Sequence, residues 1–251
     1  MEANITEYSD QLTLKKQLLY HFYPGILIAL GYIILSDVFV ANGYPGMAAL
    51  LAVELLILAP IAILHLGFVG KSRSGSFSIR SAIRYTEKLS FRQYAFWTIL
   101  GVVGCLLIYV PLYPVGLYLK ETVFNWLPEW YFNPAYGASG PEVVANIFLV
   151  AIVIDGIVGP VAEELFFRGY LLPRMAYLKG WAPVLNGLLF GLYHFWQPHN
   201  YFAIIAVGII LSYIVWRKKN VYLGILIHCI INILGAIGGY LAASSGELIL
   251  R

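Results

Sequence analysis

Seven long apolar runs constrain this chain more than any other feature of its sequence. Most approach the length of about 20 residues that a helix needs to cross a bilayer, and they lie at residues 20–41, 46–69, 95–119, 143–168, 181–197, 201–216 and 221–243. The composition agrees, because 60% of the 251 residues are hydrophobic and 12% are charged, against about 25% charged in soluble domains. The sequence therefore predicts an all-α, polytopic transmembrane bundle of about seven helices, forming a single membrane domain over residues 1–251.

Basic residues alternate between successive loops. Two precede the first run, six follow the second and three follow the sixth, namely Lys15, Lys16, Lys71, Arg73, Arg80, Arg84, Lys88, Arg92, Arg217, Lys218 and Lys219. The positive-inside rule then predicts a multi-pass protein with a cytoplasmic N-terminus, in the plasma membrane if the source is prokaryotic. The basic segment 71–94 favours an interfacial helix on the lipid surface, or a half-helix that would be the eighth membrane helix.

Charge and cysteine content exclude several other functions. The net charge of +3 is small and its basic residues are scattered, which argues against a nucleic-acid partner. Cys105 and Cys229 lie in separate apolar runs. Without a CxxC pair, neither a disulfide framework nor a cysteine-ligated zinc site is expected, and no cofactor is predicted.

The stretch AEELFFRGYLLPR, at residues 162–174, places ionisable groups directly after a long apolar run. Each such group costs roughly 2.5–3.5 kcal/mol inside a bilayer on insertion scales. Glu164 and Arg168 are four residues apart, so they share a helix face and can pair. Glu163 points about 100° away from Glu164 and is left without that partner. Its carboxylate is suited to the role of a general base.

Two later stretches repeat the four-residue spacing. FGLYHFWQPHN and GILIHCIINILG contain Phe190, His194, His228 and Asn232. If the fourth and fifth runs form a hairpin near Gly180, Glu163 and His194 lie about 25 and 21 Å from the turn. These polar groups therefore lie at similar depths and can meet.

Converging Glu, His, His and Asn side chains have a chemical interpretation. A carboxylate and an imidazole can together bind and deprotonate a water molecule beside a peptide carbonyl. A second imidazole and an amide can donate hydrogen bonds to the oxyanion that forms. No serine, threonine or cysteine stands at a comparable spacing to a histidine, so a covalent nucleophile is not indicated. Two GxxxG pairs would let these helices approach closely: Gly187 with Gly191, and Gly235 with Gly239.

Structural interpretations exist for each of these residues taken singly. Glu164 and Arg168 could form a plain ion pair. Asp155 is open between a structural and a functional role, because it precedes Glu163 by about two helical turns. Five further polar residues are interpreted as structural, pore-lining or interfacial: His21, Asp37, Glu54, His65 and His199.

Three motifs in order resemble those of the CAAX-protease and bacteriocin-processing (CPBP, or Abi) family of membrane proteins. EELFFR matches EExxxR, FGLYH matches FxxxH and HCIIN matches HxxxN/D, all within residues 143–243. The resemblance implies a glutamic-type intramembrane endopeptidase with a helical bundle around a cavity that opens to the cytoplasm. Glu163 and His194 would activate water, and His228 and Asn232 would form the oxyanion hole. Glu164, Arg168 and the motif residue Phe190 would support the site.

The resemblance leaves the substrate open beyond a membrane-embedded or membrane-associated peptide or protein. Two other functions stay as alternatives. A zinc-dependent membrane protease would use Glu163, His194 and His228 as ligands, although the chain lacks HExxH. A transporter or scaffold would line an ion path with the same residues.

Overall fold

The protein is all-helical over residues 10–246, which are the residues that the computed structural model describes. Within that range the strand-type pairing is one isolated bridge, between Thr86 and Asn220. Six helical segments are long and apolar enough to cross a membrane. These findings confirm the predicted polytopic transmembrane bundle.

Seven helices build the bundle. They are α1 (Leu14–Ala41), α2 (Gly46–Ser74), α3 (Phe91–Thr122), α4 (residues 141–171), α5 (Ala182–Leu192), α6 (Tyr201–Lys218) and α7 (Val221–Ser244). Helix α1 packs against α2 and α5, α6 packs against α5 and α3, and α7 packs against α3 and α4. Because α2 also contacts α4, the helices close a ring around a central space.

The fifth apolar run forms a helix that is shorter than predicted and is joined to α4 by a bend. Helix α5 has 11 residues and follows α4 through the 3-10 segment Leu172–Trp181, so that residues 141–192 form one bent unit. Pro173 begins the bend, since proline has no amide hydrogen to continue the helical ladder. Lys179 completes it with a positive φ of 52°. The chain reverses there, as the predicted hairpin near Gly180 required.

The basic segment contains no eighth membrane helix. Helix α2 ends at Gly75, which adopts the left-handed conformation with φ 77° that suits glycine at a helix C-terminus. Beyond it the helical structure amounts to one turn, Ile79–Ala82, before α3 begins. Asp10 ties this loop to the end of α4 through ion pairs with Arg73 at 2.6 Å, Arg174 at 2.8 Å and Arg84.

Two glycines bring α5 and α6 into close contact. A β-carbon at Gly187 would overlap the backbone of Ile209, and one at Gly191 would overlap the backbone of Ile205. The first GxxxG pair thus acts as predicted. In the second pair only Gly239 packs tightly, against the ring of Phe148. Gly235 has open space around it and borders the central cavity.

Three π-helical turns interrupt α2 and α4, two of the helices that line the central space. Glu54–Leu58 lies in α2, and Ile154–Val158 and Glu164–Leu171 lie in α4. A π turn inserts an extra residue into the helix and redirects the side chains around it, and such turns are frequent at functional sites. An acidic residue stands at or next to the start of each turn: Glu54, Asp155 and Glu164.

Candidate active site

A partly open cavity of about 490 Å³ lies inside the ring of helices, within the size range of small-ligand pockets. Most of its wall is apolar. Its polar lining includes Glu54, Asp155, Glu163, His194, His228 and Asn232. All four residues that the sequence predicted as catalytic therefore border one space, although they come from α4, the loop after α5, and α7.

Glu163 lies where the two histidines meet. Its side chain is 8% exposed, with Oε1 at 3.9 Å from Nε2 of His194 and Oε2 at 3.7 Å from Nε2 of His228. The hydroxyl of Tyr193 donates a hydrogen bond to Glu163 Oε1. The carboxylate is thereby oriented between the two imidazole rings.

Hydrogen bonds orient each imidazole. Nδ1 of His194 lies 2.8 Å from the carbonyl oxygen of Phe190. Since a carbonyl can only accept, Nδ1 carries the proton, and Nε2 of the neutral ring presents a lone pair toward Glu163. Nδ1 of His228 lies 3.0 Å from Oε1 of Glu164, so His228 bridges the two adjacent glutamates.

Arg168 is fully buried beneath the site. It forms the ion pair with Glu164 that the spacing predicted, with Nη1 at 2.9 Å from Oε1. Its guanidinium lies 3.7 Å from the ring centroid of Phe190, a cation–π distance. The four-residue spacing of Phe190 and His194 has a physical reason here, because Phe190 contacts Arg168 through its ring and His194 through its carbonyl.

A chain of buried polar residues continues from Arg168 to α1. Arg168 donates to Ser212 Oγ at 3.2 Å, Ser212 donates to Asn186 Oδ1 at 2.9 Å, and Asn186 Nδ2 lies 3.1 Å from His21 Nε2. His21 in turn contacts the carbonyl of Gln17 at 2.8 Å. All five side chains are buried. This network holds Arg168 in place, which agrees with the structural role predicted for His21.

Asn232 follows His228 by one turn of α7 and also borders the cavity. Its Nδ2 donates to the main-chain carbonyl of Asp155 at 2.9 Å and lies 3.5 Å from Asp155 Oδ1. An amide nitrogen carries two hydrogens, so the second hydrogen is available for another acceptor. Asp155, left open by the sequence, thus orients Asn232.

Sequence spacing did not identify three residues that shape the site. Tyr193 stands directly before His194 but reaches Glu163 from the bend after α5. Glu54 lines the cavity from α2, a helix without any family motif. Gly224 leaves space for Glu164, because a β-carbon there would overlap Oε2 of that carboxylate. The one local signal for Gly224 in the sequence is its position four residues before His228.

We expect Gly224→Ala to reduce both stability and activity. The added methyl group would displace Glu164 and Val215, an overpacking that costs about 1–3 kcal/mol and disturbs the Glu164–His228 contact. Thermal unfolding in detergent measures the first effect, and peptide hydrolysis measures the second. Gly238→Ala is the matched control on the same helix, since no atom lies within 4 Å of its β-carbon position. Equal stability of the two variants would contradict the packing argument.

The zinc alternative needs side chains that converge on one metal position. Among the residues that the structure describes, no group of three or more His, Cys, Asp or Glu side chains is arranged to hold a metal ion. Glu163 lies close to Nε2 of both histidines, and His228 directs Nδ1 to Glu164, a carboxylate contact that a metal-bound histidine would also make. Metal dependence is therefore a question for experiment, addressed below.

The all-helical bundle and its buried Glu, His and Arg cluster define a polytopic membrane protein with an internal site suited to hydrolysis. Residues 145–234 match the family model described as Type II CAAX prenyl endopeptidase Rce1-like. This match confirms the resemblance to the CAAX-protease family, whose three motifs all lie inside the matched residues. The match supports a membrane-bound protease with a membrane-associated substrate. No curated protein and no solved structure matches the chain significantly.

Proposed function

We propose that this protein is an intramembrane endopeptidase of the glutamic type, which cleaves a peptide bond in a membrane-embedded or membrane-associated peptide. One observation carries the proposal. Glu163 lies within 4 Å of Nε2 atoms from both His194 and His228, on the wall of the cavity. The carboxylate of Glu163, the Nε2 lone pair of His194 and Nε2 of His228 thus face one point, as hydrolysis by activated water requires.

Glu163 and His194 bind the nucleophilic water in this mechanism. Both present acceptors, because Nδ1 of His194 is already bonded to Phe190. A water molecule between them donates one hydrogen to each, which leaves its oxygen lone pair directed into the cavity. Glu163 removes the proton as the oxygen attacks the scissile carbonyl, and it later delivers this proton to the leaving amine.

His228 and Asn232 stabilise the oxyanion in this mechanism. With Glu163 and Glu164 ionised, Arg168 supplies one positive charge and an imidazolium at His228 supplies the other, so the buried cluster is neutral. Nδ1 of that imidazolium bonds to Glu164, and Nε2, at 3.7 Å from Glu163 Oε2, donates to the developing negative charge. The second hydrogen of the Asn232 amide adds another donor.

A comparison of membranes tests the proposed function. Membranes with the wild-type protein and with Glu163→Ala are analysed by mass spectrometry for released peptides and accumulated precursors. Precursors that accumulate only with Glu163→Ala would support proteolysis and identify the substrate. Identical profiles from two equally expressed, folded proteins would favour the transporter or scaffold alternative. Incubation of the wild type with a strong chelator distinguishes the glutamic mechanism from the zinc alternative. A zinc-dependent protease would lose all cleavage in chelator.

We expect Asn232→Ala to lower the rate of hydrolysis by about 10²–10³-fold, since it removes one oxyanion donor. The rate constant for a cleaved peptide and the melting temperature are measured together. A purely structural role predicts the opposite balance, with a lower melting temperature and a nearly unchanged rate constant. His228→Ala should have a larger effect, because it also removes the bridge between Glu163 and Glu164.

The orientation in the membrane follows from the basic loops. We expect the N-terminus and the Asp10 cluster with Arg73, Arg84 and Arg174 to face the cytoplasm. His228 lies about two turns into α7 from the same end, which places the catalytic groups in the cytoplasmic half and favours substrate entry from that side. Alkaline phosphatase fused after residue 244 should be active only if α7 ends outside. If that fusion is inactive and a fusion in the loop 75–78 is active, the protein has the opposite orientation in the membrane.

A further inference from the structure

We infer that the cavity contains a second binding site, at Glu54, for a cationic side chain of the substrate peptide, a lysine or arginine near the cleaved bond. The inference rests on the proposed function, because it needs a peptide in the cavity. It concerns a residue of α2, outside the matched family range of residues 145–234.

Glu54 lies against the wall that carries Glu163. Its Oε2 is 3.4 Å from the position that a β-carbon would occupy at Gly159. Gly159 stands one turn of α4 before Glu163 and about one turn after Asp155. The missing side chain at Gly159 thus makes room for the carboxylate of Glu54, and three acidic groups follow one another along the cavity.

The partners of these three acidic groups differ. Glu163 accepts a hydrogen bond from Tyr193 and lies close to two histidines, and Oδ1 of Asp155 lies 3.5 Å from Nδ2 of Asn232. Glu54 is only 6% exposed, and its Oε2 has no hydrogen-bond partner within the described part of the chain. Among residues 10–246, no lysine or arginine lines the cavity. A buried carboxylate without a cation is unfavourable in a membrane, and a cationic ligand would compensate its charge.

The surroundings of Glu54 suit a long basic side chain. Leu50 and Leu58 stand one turn before and after it on α2, and Leu106 of α3 borders the same cavity. Lysine and arginine pack their aliphatic stems on such apolar surfaces while the charged head reaches a polar group. The head would bond to Glu54 while the backbone of the same peptide lies beside Glu163.

Paired peptides test this site directly. Purified protein in lipid nanodiscs is given fluorescent apolar decapeptides in pairs, in which one position carries either lysine or its uncharged analogue norleucine. When the varied peptide position lies near the cleaved bond, the wild type should cleave the lysine peptide at least about tenfold more efficiently than the norleucine peptide. Glu54→Gln should bring that ratio close to one, because the amide keeps the shape and loses the charge. Glu142→Gln, in the exposed first turn of α4, should keep the wild-type ratio.

The outcomes separate this site from the proposed function. Cleavage of both peptides at equal rates, or a lysine preference that survives in Glu54→Gln, would overturn the cationic site and leave proteolysis intact. If the wild type cleaves neither peptide, fluorescence anisotropy measures binding of the same pairs to wild type and Glu54→Gln. A lysine preference lost in the variant supports the site, and equal or absent binding overturns it. Glu54→Met replaces Glu54→Gln if the latter does not fold.

Discussion

Glu163→Gln should lower the rate of peptide hydrolysis by about 10²–10⁴-fold, the usual contribution of a general base. Glutamine has the shape of glutamate, and its side-chain oxygen can still accept the hydrogen bond from Tyr193. The variant therefore removes the basic oxygen and little else. Since His228 can release its proton when Glu163 is uncharged, the buried cluster stays neutral and the melting temperature should stay close to that of the wild type.

The measurement pairs single-turnover kinetics with thermal unfolding in the same detergent. Glu142→Gln is the control, since it makes the same chemical change at an exposed position of the same helix. A second variant, Tyr193→Phe, keeps the carboxylate and removes only its orienting hydrogen bond, so its rate should fall between those of wild type and Glu163→Gln. A rate near wild type in Glu163→Gln, with the protein folded, would show that another group activates the water.

Arg168→Ala should be the most destabilising of these substitutions, by about 3–5 kcal/mol, the typical cost of removing one partner from a buried ion pair. It leaves Glu164 as a buried charge and frees the carbonyl of Gly208 and the hydroxyl of Ser212. It also removes the cation that packs on Phe190. We expect low folded yield and loss of activity together.

Two further variants separate charge from geometry. Arg168→Lys keeps the charge but lacks the planar fork that reaches Glu164 and Ser212 at once, so an intermediate stability is expected. The double variant Glu164→Gln with Arg168→Met removes both charges and should recover much of the stability without recovering activity, because His228 loses its carboxylate partner. Unfolding in increasing concentrations of a denaturing detergent ranks the stabilities of these variants. Wild-type stability in Arg168→Ala would mean that the ion pair contributes nothing to the fold.

Local spacing accounts for the parts of the site that lie on single helices. The pairs Glu164 with Arg168, and Phe190 with His194, are four residues apart, and four residues return to the same helix face. Both pairs are in contact in the structure. The sequence predicted that α4, α5 and α7 bring their polar residues together, because these residues lie at a similar depth in the membrane and residues at one depth of a bundle can be neighbours.

The sequence predicted the number of helices better than their lengths. The run 181–197 is as apolar as its neighbours, yet α5 ends at Leu192 and the chain bends to place His194 beside Glu163. Apolar composition reports burial in lipid or protein and does not distinguish the two. The basic segment after α2 likewise carried the charges of an interfacial helix, but a left-handed Gly75 and an extended stretch limit it to one turn.

The sequence by itself determined the class of protein, the helical bundle and the motif residues, because hydrophobic length and four-residue spacing are local properties of a chain. Only the tertiary structure decided what surrounds those residues. Tyr193 on Glu163, Gly224 beneath Glu164 and Glu54 opposite Gly159 are contacts between elements far apart in the sequence. No periodicity encodes such contacts, since they depend on how π turns and prolines redirect whole helices before the side chains meet.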